Sequence, residues 1–580
     1  MERTFRLVRE KYWGNLLATL GMAGSIAIAS IVDRIMVGNL LGGTALAALS
    51  LNSPVICIIN IIYDFFVFGG NTLAVKLKAE RKHDAANKAF TISIVLGTAV
   101  VAVVVLAGIA LQYPIAGLLC GRDAELFRPV RDYLTPLLVL GILVIPVNGT
   151  CAFVRTDGLQ KLAVAVPVVA NIINLLLDYV FMGILHLGIA SAGWATVIGY
   201  AAGTLCLIPY FRSGKRSFSF TRTAGHAWTE LREILKTGLA SALADVCLFI
   251  QSLTMNIIII STFQAVGAQV AAVCISAQSV AAIFYRGTTE TMLPIGGALY
   301  AEKDYSGLRA VMKTGFIMTE AFMIAVTVIL TVFTRPFGQA FGVSSPEAMT
   351  LLDAAFFMYL ISFPFVGAQE CLRVVLQSTN RANAASALTG LAGTVCFVPV
   401  IWLLSKTAPN LLWLSFAIAS LLAVAGCLAI LRIRAGKKGN TEEILIPKAV
   451  EEVKTFEFSI QNTIRDAVTA SAKMITLSQE NGVEDLYANY LGVAVEEMCT
   501  NIARYAYPNR SDSVDIFLRI DRRELLLRIR DNGVVFNPTK FVDDRGLEVA
   551  GLKMMKELPV KMEYNRVLGF NNTIITINMA

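Results

Sequence analysis

Apolar stretches of about 20 residues recur through the first three quarters of this 580-residue chain. A helix of about 20 apolar residues crosses the ~30 Å hydrocarbon core of a bilayer, so each stretch is a candidate transmembrane helix. Twelve such stretches lie between Asn15 and Arg432. They begin near Gly14, Thr44, Ala89, Leu134, Leu162, Gly188, Ile234, Gly267, Gly315, Leu352, Asn383 and Asn410. The pattern predicts an all-α membrane domain of twelve helices.

Charge divides the chain into two parts. Of 50 Lys and Arg and 42 Asp and Glu residues, 17 and 21 follow Gly439, so the net charge of +8 splits into +12 and −4. Charged residues make up about 12% of the first part and about 27% of the second, and about a quarter is usual in soluble proteins. We expect a membrane domain over 1–434, a linker over 435–450 and a soluble domain over 451–580.

Lys and Arg are concentrated in alternate connections between the apolar stretches. The basic connections are the N-terminus up to Lys11 and residues 76–88, 212–236, 303–313 and 432–438. Connections rich in Lys and Arg stay in the cytosol. The loop with Arg122, Arg128 and Arg131 is an exception to the alternation. An even number of spans then predicts that both termini are cytosolic.

The two halves of the membrane part, about 10–212 and 230–434, look related. In each half a turn of small residues leads into a second helix, a Gly-Gly pair and a polar loop, as in FGGNTLAVKLKAERKHDAANKA and PIGGALYAEKDYSGLRAVMK. Two six-helix repeats in one chain are typical of secondary transporters, with the substrate path between the repeats.

Four polar residues interrupt the apolar stretches of the first half, namely Asp33, Asn148, Asn174 and Asp178. Placing an ionisable side chain in a transmembrane helix costs roughly 2.5–3.5 kcal/mol on insertion scales, so Asp33 and Asp178 each indicate a function. Asn174 and Asp178 share one helix face because they are four residues apart. Oxygen ligands from several helices suit a hard cation or a shared proton. The alternative for Asp33 is an interfacial ion pair with Arg34.

The second half contains further ionisable residues in its apolar stretches. They are candidates for charges that face a cavity or the membrane, and no role is assigned to any of them. They are Asp245, Arg286, Glu290, Glu320 and Glu370.

Three segments resemble the multidrug and toxic compound extrusion (MATE) transporters. They are IVDRIMVGNLLGGTALAALSLNSP, FGGNTLAVKLKAERKHDAANKA, and FVRTDGLQK with the VPVVANIINLLLDYVFMGILHLGIASAGWATVIG that follows. The resemblance covers about residues 10–434. It implies that Asp33, Asn148, Asn174, Asp178 and Thr196 form a cation site that exchanges Na⁺ or H⁺ while drug-like or other organic compounds are exported. Relatives in the superfamily flip lipid-linked sugars, so an oligosaccharide or lipid cargo is the nearest alternative.

The soluble part has the pattern of a mixed α/β domain. Helical spacing covers 485–507 and 547–558, and apolar and polar residues alternate over 514–520, 524–530 and 573–578 as in strands. The pattern predicts a compact α/β sandwich.

Two polar motifs stand at the ends of these elements. Asn501 follows Glu497 by one helical turn, which lets the amide bind Mg²⁺ while the carboxylate orients a water or hydroxyl as a general base. Asp531 ends a strand, and Gly533 follows it, so the carboxylate can accept the adenine amino group while the chain passes beneath the base.

EEMCTNIARYAY and DNGVVFNP resemble the GHKL ATPase and kinase superfamily, and most of all its anti-sigma-factor serine kinases. The resemblance implies a Bergerat-type ATP-binding fold that uses ATP and Mg²⁺. Glu497 is then the base, Asn501 the Mg²⁺ ligand, Asp531 and Gly533 the adenine pocket, and Gly546 and Gly551 a shortened phosphate lid. Tyr505 stands where many relatives have His.

No phospho-acceptor His precedes the soluble domain, since the nearest, His226, lies in a loop between apolar stretches. The remaining alternatives are Ser/Thr phosphorylation of a separate, STAS-type partner and nucleotide-dependent gating of the transporter. No P-loop motif occurs, so we expect transport driven by the ion gradient rather than by ATP.

The sequence therefore predicts a multi-pass antiporter of the cytoplasmic membrane, embedded in the lipid bilayer, with a cytosolic ATP-binding domain and no nucleic-acid partner. Two other functions stay open. One is a signalling kinase with a transporter-like sensor domain, and the other is a flippase for lipid-linked oligosaccharides.

Overall fold

The computed structural model describes most of the chain. The described residues are 2–79, 82–121, 123–156, 159–212, 216, 218–221, 227–436, 445–446, 454–507, 512–521, 523–535, 537–539, 560–567 and 569–579.

The first half of the membrane part is helical because a bilayer requires every backbone amide and carbonyl to bond within its own segment. Its helices are α1 (Arg6–Leu41), α2 (Gly43–Leu51), α3 (Ser53–Tyr63), α4 (Gly69–Ala79), α5 (His83–Thr91), α6 (Gly97–Ala110), α7 (Gln112–Cys120), α8 (Ala124–Val144), α9 (Thr150–Thr156), α10 (Gln160–Asp178), α11 (Ala190–Leu205) and α12 (Ile208–Arg212).

The second half continues with longer helices. They are α13 (Ala227–Ala301), α14 (Tyr305–Val332), α15 (Thr334–Ala340), α16 (Pro346–Leu360), α17 (Ser362–Ser378), α18 (Ala382–Gly390), α19 (Phe397–Thr407) and α20 (Ser415–Gly436). Short π-helical turns at Asp64–Phe68, Ile92–Leu96, Ile145–Gly149, Tyr179–Ile184 and Leu391–Cys396, and a 3₁₀ turn at Pro409–Leu414, join successive helices.

Helix α13 is two helices that meet at Gln264. A straight helix of its 75 residues would be about 110 Å long, far more than a bilayer needs. Gln264 breaks it with φ 54° and ψ −147°, values outside the helical region. The break separates the seventh predicted stretch from the eighth.

Ten helices among the described residues are long and apolar enough to cross a membrane. One of them, Ser241–Ala301, includes parts of two predicted stretches, and α1, which includes the first stretch, is not among the ten. The structure therefore supports a multi-helix membrane domain, while the number twelve stays a prediction.

One large buried core is built mostly from the first half and another mostly from the second, and contacts between the halves join them. Phe90, Phe153 and Phe218 pack in the first core. Across the halves, Thr19 Oγ1 lies 2.6 Å from Thr291 Oγ1, and Ser53 Oγ lies 2.6 Å from Ser252 Oγ. At one end of α1 the approach is so close that a Cβ on Gly38 would lie 2.1 Å from the Phe341 oxygen.

The tail after residue 453 is an antiparallel sheet with two helices on one face. Its elements are β1 (Lys454–Gln461), α21 (Ile464–Glu480), α22 (Asp485–Asn501), a π-helical turn (Ile502–Ala506), β2 (Ser513–Ile520), β3 (Glu524–Asp531), β4 (Val560–Val567) and β5 (Phe570–Asn578). The strand order is β1-β2-β3-β5-β4, and every described pairing is antiparallel.

The strands predicted at 514–520, 524–530 and 573–578 and the helix that begins at 485 are confirmed. Three elements were not predicted, namely β1, α21 and β4. The helix predicted over 547–558 lies outside the described residues. The small sheet covered by helices fits a GHKL-type fold.

Candidate functional site

Three helices bring a polar cluster together inside the first half. Asp33 lies on α1, Asn174 and Asp178 lie on α10, and Thr196 lies on α11. Asn174 Nδ2 donates to Asp178 Oδ2 at 3.0 Å and to Thr196 Oγ1 at 3.1 Å. The carboxyl groups of Asp33 and Asp178 lie close enough to interact with each other. Four of the five residues predicted for the cation site therefore form one connected cluster.

Each of the two carboxyl groups in this cluster has an oxygen that can form a further bond. Asp178 is 0% exposed, and the Oδ1 atoms of Asp33 and Asp178 are buried without a partner among the described residues. A hydrogen bond between two carboxyl groups requires a proton on one of them, because an ionised carboxylate only accepts. Carboxylate oxygens are also the ligands that hard cations prefer. The cluster can therefore hold a proton or a small cation.

Asn148 and Arg34 lie differently from the cluster. Asn148 is on the π-helical turn Ile145–Gly149, and in the described part of the chain its side chain makes no hydrogen bond to the other four residues. The described residues also contain no Asp33–Arg34 ion pair. Arg34 Nη1 instead donates to Ser276 Oγ at 3.4 Å. The charges of Asp33 and Arg34 still interact, although the two side chains form no direct ion pair.

A glycine sets the spacing between the two helices that carry most of the cluster. A Cβ on Gly199 of α11 would lie 2.5 Å from the Ala170 oxygen and 3.2 Å from Asn174 Cβ. The absence of a side chain there lets α10 and α11 approach closely enough for Asn174 to reach Thr196.

The second half contains a cavity of about 610 Å³ with charges of both signs on its walls. Arg286, Glu290 and Glu370, all singled out in the sequence, line it, and so does Arg373. Arg373 Nη2 lies 2.6 Å from Glu370 Oε2. Four glutamines add hydrogen-bonding capacity. They are Gln251, Gln278, Gln369 and Gln377.

The other two charges noted in the second half do not line this cavity. A Cβ on Gly367 would lie 3.1 Å from Glu320 Oε1, an atom that is buried with no partner in the described part of the chain. Asp245 lies close enough to Asp64 for their charges to interact.

In the tail, Asp531 lies at the end of β3 and is 2% exposed. Its Oδ1 accepts hydrogen bonds from the Gly533 amide and from Asn571 Nδ2, both at 2.8 Å. Burial raises the pKa of Asp531 to about 6, and the Asn571 hydrogen bond opposes part of that rise. The arrangement positions a carboxyl group that can accept a hydrogen bond from a base.

Gly533 permits a close approach between the end of β3 and the segment after α22. A Cβ at Gly533 would lie 2.3 Å from the Ala506 oxygen, and that same oxygen accepts the Val534 amide at 2.8 Å. Only glycine fits without moving the backbone. This contact joins the segment that carries Asp531 to the helix that carries Glu497 and Asn501.

Glu497 and Asn501 meet on α22. Asn501 Nδ2 donates to Glu497 Oε2 at 3.4 Å; Asn501 is 1% exposed, while Glu497 is half-buried. An amide oxygen and a carboxylate one turn apart can bind a divalent cation and orient a nucleophile, respectively. The predicted lid residues, Gly546 and Gly551, lie outside the described residues.

The family model MatE matches residues 22–180, a range that includes Asp33, Asn174 and Asp178. The model described as a histidine kinase-like ATPase domain matches residues 460–578, which include Glu497 and Asp531. The chain contains a MATE family domain. Its C-terminal part is a histidine kinase-like ATPase domain fused to the MATE domain, whose apolar helices are those of a multi-pass membrane protein.

Curated relatives match both parts of this chain. The multidrug export protein MepA of Staphylococcus haemolyticus (strain JCSC1435) is 22% identical over 401 residues, which cover 66% of this chain and 85% of that protein. The serine/threonine-protein kinase BtrW of Bordetella bronchiseptica is 30% identical over 99 residues, which cover 16% of this chain and 70% of that protein.

Solved structures confirm the fold of the transporter domain. An inward-facing multidrug resistance MATE family transporter gives a TM-score of 0.65 at 18% identity, covering 73% of this chain and 99% of that chain. The MATE multidrug transporter DinF-BH, solved in complex with R6G, gives 0.59 at 21% identity and covers 74% and 97%.

The structure adds partners that the sequence did not single out. Asn571, 40 positions from Asp531, completes the tail pocket only because β3 and β5 are neighbours in the sheet. Arg373 follows Glu370 by three residues, and this spacing on a helix was a signal for a paired charge.

Proposed function

We propose that this protein is an antiporter that exports a drug-like or other organic cation in exchange for Na⁺ or H⁺. The observation that carries the proposal is the buried contact between Asp33 and Asp178, in which each carboxyl group keeps one oxygen free. Two neighbouring buried carboxyl groups favour one bound positive charge over none, because two negative charges side by side are costly in a medium of low dielectric constant.

Asp178 belongs to α10, whereas Asp33 belongs to α1, so the carboxyl pair joins two of the three helices of the cluster. Loading the cluster with a proton or Na⁺ removes the repulsion between the two carboxylates and lets α1 and α10 stay together. Release restores the repulsion and favours their separation. Movement of α1 relative to its own half then couples the gradient to the opening of the cargo path.

The cargo path is proposed to include the charged cavity of the second half. The cavity walls carry two arginines, Arg286 and Arg373, and two glutamates, Glu290 and Glu370. Their charges therefore show no large excess of either sign. Glu290 forms no direct salt bridge among the described residues, although its charge interacts with that of Arg286, and we assign it as the counter-ion for a cationic cargo. Relatives named as multidrug exporters support a drug-like cargo.

The orientation is proposed from the basic connections, which place both termini and the tail in the cytosol. There the tail binds Mg²⁺·ATP, which supplies the phosphoryl group for transfer. Asp531 receives the adenine amino group, Asn501 holds the cation, and Glu497 accepts the proton of the attacking hydroxyl. The tail either regulates the transporter or phosphorylates Ser or Thr on a partner, for which a STAS-type protein is the proposal.

Transport is tested with the purified full-length protein in vesicles loaded with R6G, the dye found in one related structure. An imposed Na⁺ or proton gradient is applied with and without Mg²⁺·ATP on the cytosolic side. We expect one gradient to drive efflux without nucleotide. Efflux that needs ATP and ignores both gradients would overturn the proposal.

Asp178→Asn is the decisive variant, because it keeps the shape of the side chain and removes the exchangeable charge. We expect gradient-driven efflux to fall at least tenfold, equivalent to about 1.4 kcal/mol in rate. Asp353→Asn is the matched control, since Asp353 pairs with Arg335 at 2.7 Å in an exposed position. Equal efflux by the two variants would exclude a coupling role for Asp178.

A second candidate function is a signalling kinase whose transporter-like part senses a ligand. The similarity of the tail to BtrW, at 30% identity, favours it. In that case Asp178→Asn leaves efflux unchanged and Glu497→Ala abolishes phosphorylation of the partner.

A further inference from the structure

The face of the tail sheet opposite its helices is polar and carries several charges. Side chains alternate between the faces of a strand. On β3, Leu525, Leu527 and Ile529 face the helices, whereas Arg528 and Arg530 face the other way. An open sheet face with two arginines would normally lie in water. Here both are buried, at 8% and 0% exposure.

These arginines are covered by the connection between α13 and α14 of the transporter domain. Arg530 Nη1 lies 2.7 Å from Asp304 Oδ2, and Arg530 Nη2 is hydrogen-bonded to Glu302. Arg528 Nη2 donates to the Glu302 backbone oxygen at 2.6 Å. Asn572 of β5 donates to Glu302 Oε1 at 3.3 Å.

The N-terminus of the chain also takes part in this network, through Arg3. Arg3 forms a two-bond contact with Asp304, at 2.6 and 2.8 Å, and lies 2.9 Å from Glu457 and 3.3 Å from Asp515. Its guanidinium also stacks over the Phe517 ring at 4.3 Å. Three segments distant in sequence therefore meet in one cluster.

Burial makes this cluster depend on every partner being in place. The side chains of Arg3, Asp304 and Arg530 are 3%, 0% and 0% exposed. Burial opposes ionisation of Asp304, but the Arg3 and Arg530 guanidiniums hold its pKa below the ordinary value. Removing one partner of a buried ion pair leaves an uncompensated charge. The contact is therefore specific for these elements.

The docked face lies directly behind the nucleotide pocket. Asp531 follows Arg530 on β3, and the two side chains point to opposite faces of the sheet. The same holds on β5, where Asn571 donates to Asp531 and Asn572 accepts from Arg530 Nε at 3.0 Å. Two neighbouring strands thus connect the adenine side of the sheet to the transporter side.

On the transporter side the network reaches the ends of two long helices, one of which lines the charged cavity. Asp304 caps α14 by accepting the Gly307 amide at 2.9 Å. Glu302 directly follows α13, the helix that supplies Arg286 and Glu290 to the charged cavity. A change in the position of β3 therefore acts on both helices at once.

We propose that the open face of the tail sheet is a docking surface for the transporter's own α13–α14 connection, and that nucleotide binding tightens this contact and slows transport. The inference rests on the proposed function, because it assigns a regulatory role to the nucleotide pocket. A bound nucleotide holds Asp531 and Asn571 in place, which keeps Arg530 and Asn572 aligned with Asp304 and Glu302. The clamped helices then resist the movement that transport requires.

Docking is tested by amide hydrogen exchange of the full-length protein in lipid nanodiscs. Arg530→Gln removes the central charge, and Arg523→Gln changes an exposed arginine beside the same strand as a matched control. Exchange is followed in residues 2–6 and 302–309, far in sequence from either substitution. We expect at least tenfold faster exchange in both segments for Arg530→Gln alone. Unchanged exchange overturns the docking surface.

Asp304→Asn tests the same contact from the transporter side, because asparagine keeps the helix cap while the charge is lost. Because the tail sequence is unchanged in Asp304→Asn, faster exchange in this variant cannot come from a folding defect in the tail. We expect faster exchange in residues 2–6 with this variant as well.

Coupling is tested by R6G efflux under the driving gradient, with and without Mg²⁺ and the non-hydrolysable analogue AMP-PNP. We expect the analogue to slow wild-type efflux at least threefold and to have no effect on Arg530→Gln or Asp304→Asn. An analogue that binds but leaves wild-type efflux unchanged overturns the coupling. An analogue that does not bind at all overturns the proposed nucleotide site and with it the coupling, while the exchange experiment still decides the docking surface.

Discussion

At the scale of single residues, the ionisation of Asp531 gives the tail pocket a measurable pH dependence. The ionised carboxylate is the form that accepts the adenine amino group, and burial raises its pKa to about 6. As the pH falls from 7 to 5 the ionised fraction falls to about a tenth, so nucleotide affinity should fall roughly tenfold.

The measurement is a binding titration with AMP-PNP across this pH range. Asp531→Asn should bind more weakly at pH 7 and show only the titration of the nucleotide's own phosphates. The ratio of the two affinities isolates the carboxyl group. A constant ratio between pH 7 and 5 would show that Asp531 does not contact the base.

Gly533 should not tolerate a side chain. The Cβ of Gly533→Ala would lie 2.3 Å from the Ala506 backbone oxygen, so the loop must move away from the end of α22. We expect a loss of about 1–3 kcal/mol in stability, typical of overpacking, and weaker nucleotide binding. Gly297→Ala is the control, because a Cβ there meets no atom within 4 Å. Thermal unfolding with and without AMP-PNP measures both effects.

At the scale of elements, the approach of α10 to α11 determines the geometry of the cation cluster. Gly199→Ala would place a Cβ 2.5 Å from the Ala170 oxygen and push the helices apart at Asn174. We expect gradient-driven efflux to fall severalfold although no ligand residue has changed. Gly426→Ala, with no atom within 4 Å of the new Cβ, should transport normally. Efflux assays on equal amounts of folded protein compare the two.

The elements also show where sequence patterns succeed and fail. Strands β2, β3 and β5 were predicted because apolar and polar residues alternate over them. Strand β1, KTFEFSIQ, was not predicted, although apolar and polar residues alternate in it as well. Its contact with the N-terminus of the chain is one that no local pattern indicates. Helix α13 appeared as two apolar stretches, and the structure shows that they join through a single non-helical residue.

At the scale of the whole molecule, the two activities should be separable by substitution. Glu497→Gln removes the proposed base and should abolish phosphoryl transfer, while gradient-driven efflux in the absence of nucleotide stays within about twofold. Asp178→Asn should do the reverse. Efflux and phosphorylation measured on both variants decide between an antiporter with a regulatory tail and a sensor kinase. Loss of both activities in either variant would contradict two independent sites.

The sequence by itself determined the membrane character, the two-domain organisation and the chemical identity of both candidate sites. Apolar length, charge density and the spacing of Asn174 from Asp178 and of Glu497 from Asn501 are local properties, and local spacing on a helix already places side chains on one face. These features needed no knowledge of which helices are neighbours.

Only the tertiary structure decided which distant residues meet. It joined Asp33 to Asp178, left Asn148 outside that hydrogen-bonded cluster, and brought Arg530 onto Asp304 across 226 positions. The physical reason is that such contacts depend on the packing of whole helices and sheets. Their electrostatic energy arises when burial removes water, and nothing in the neighbouring sequence reports that burial.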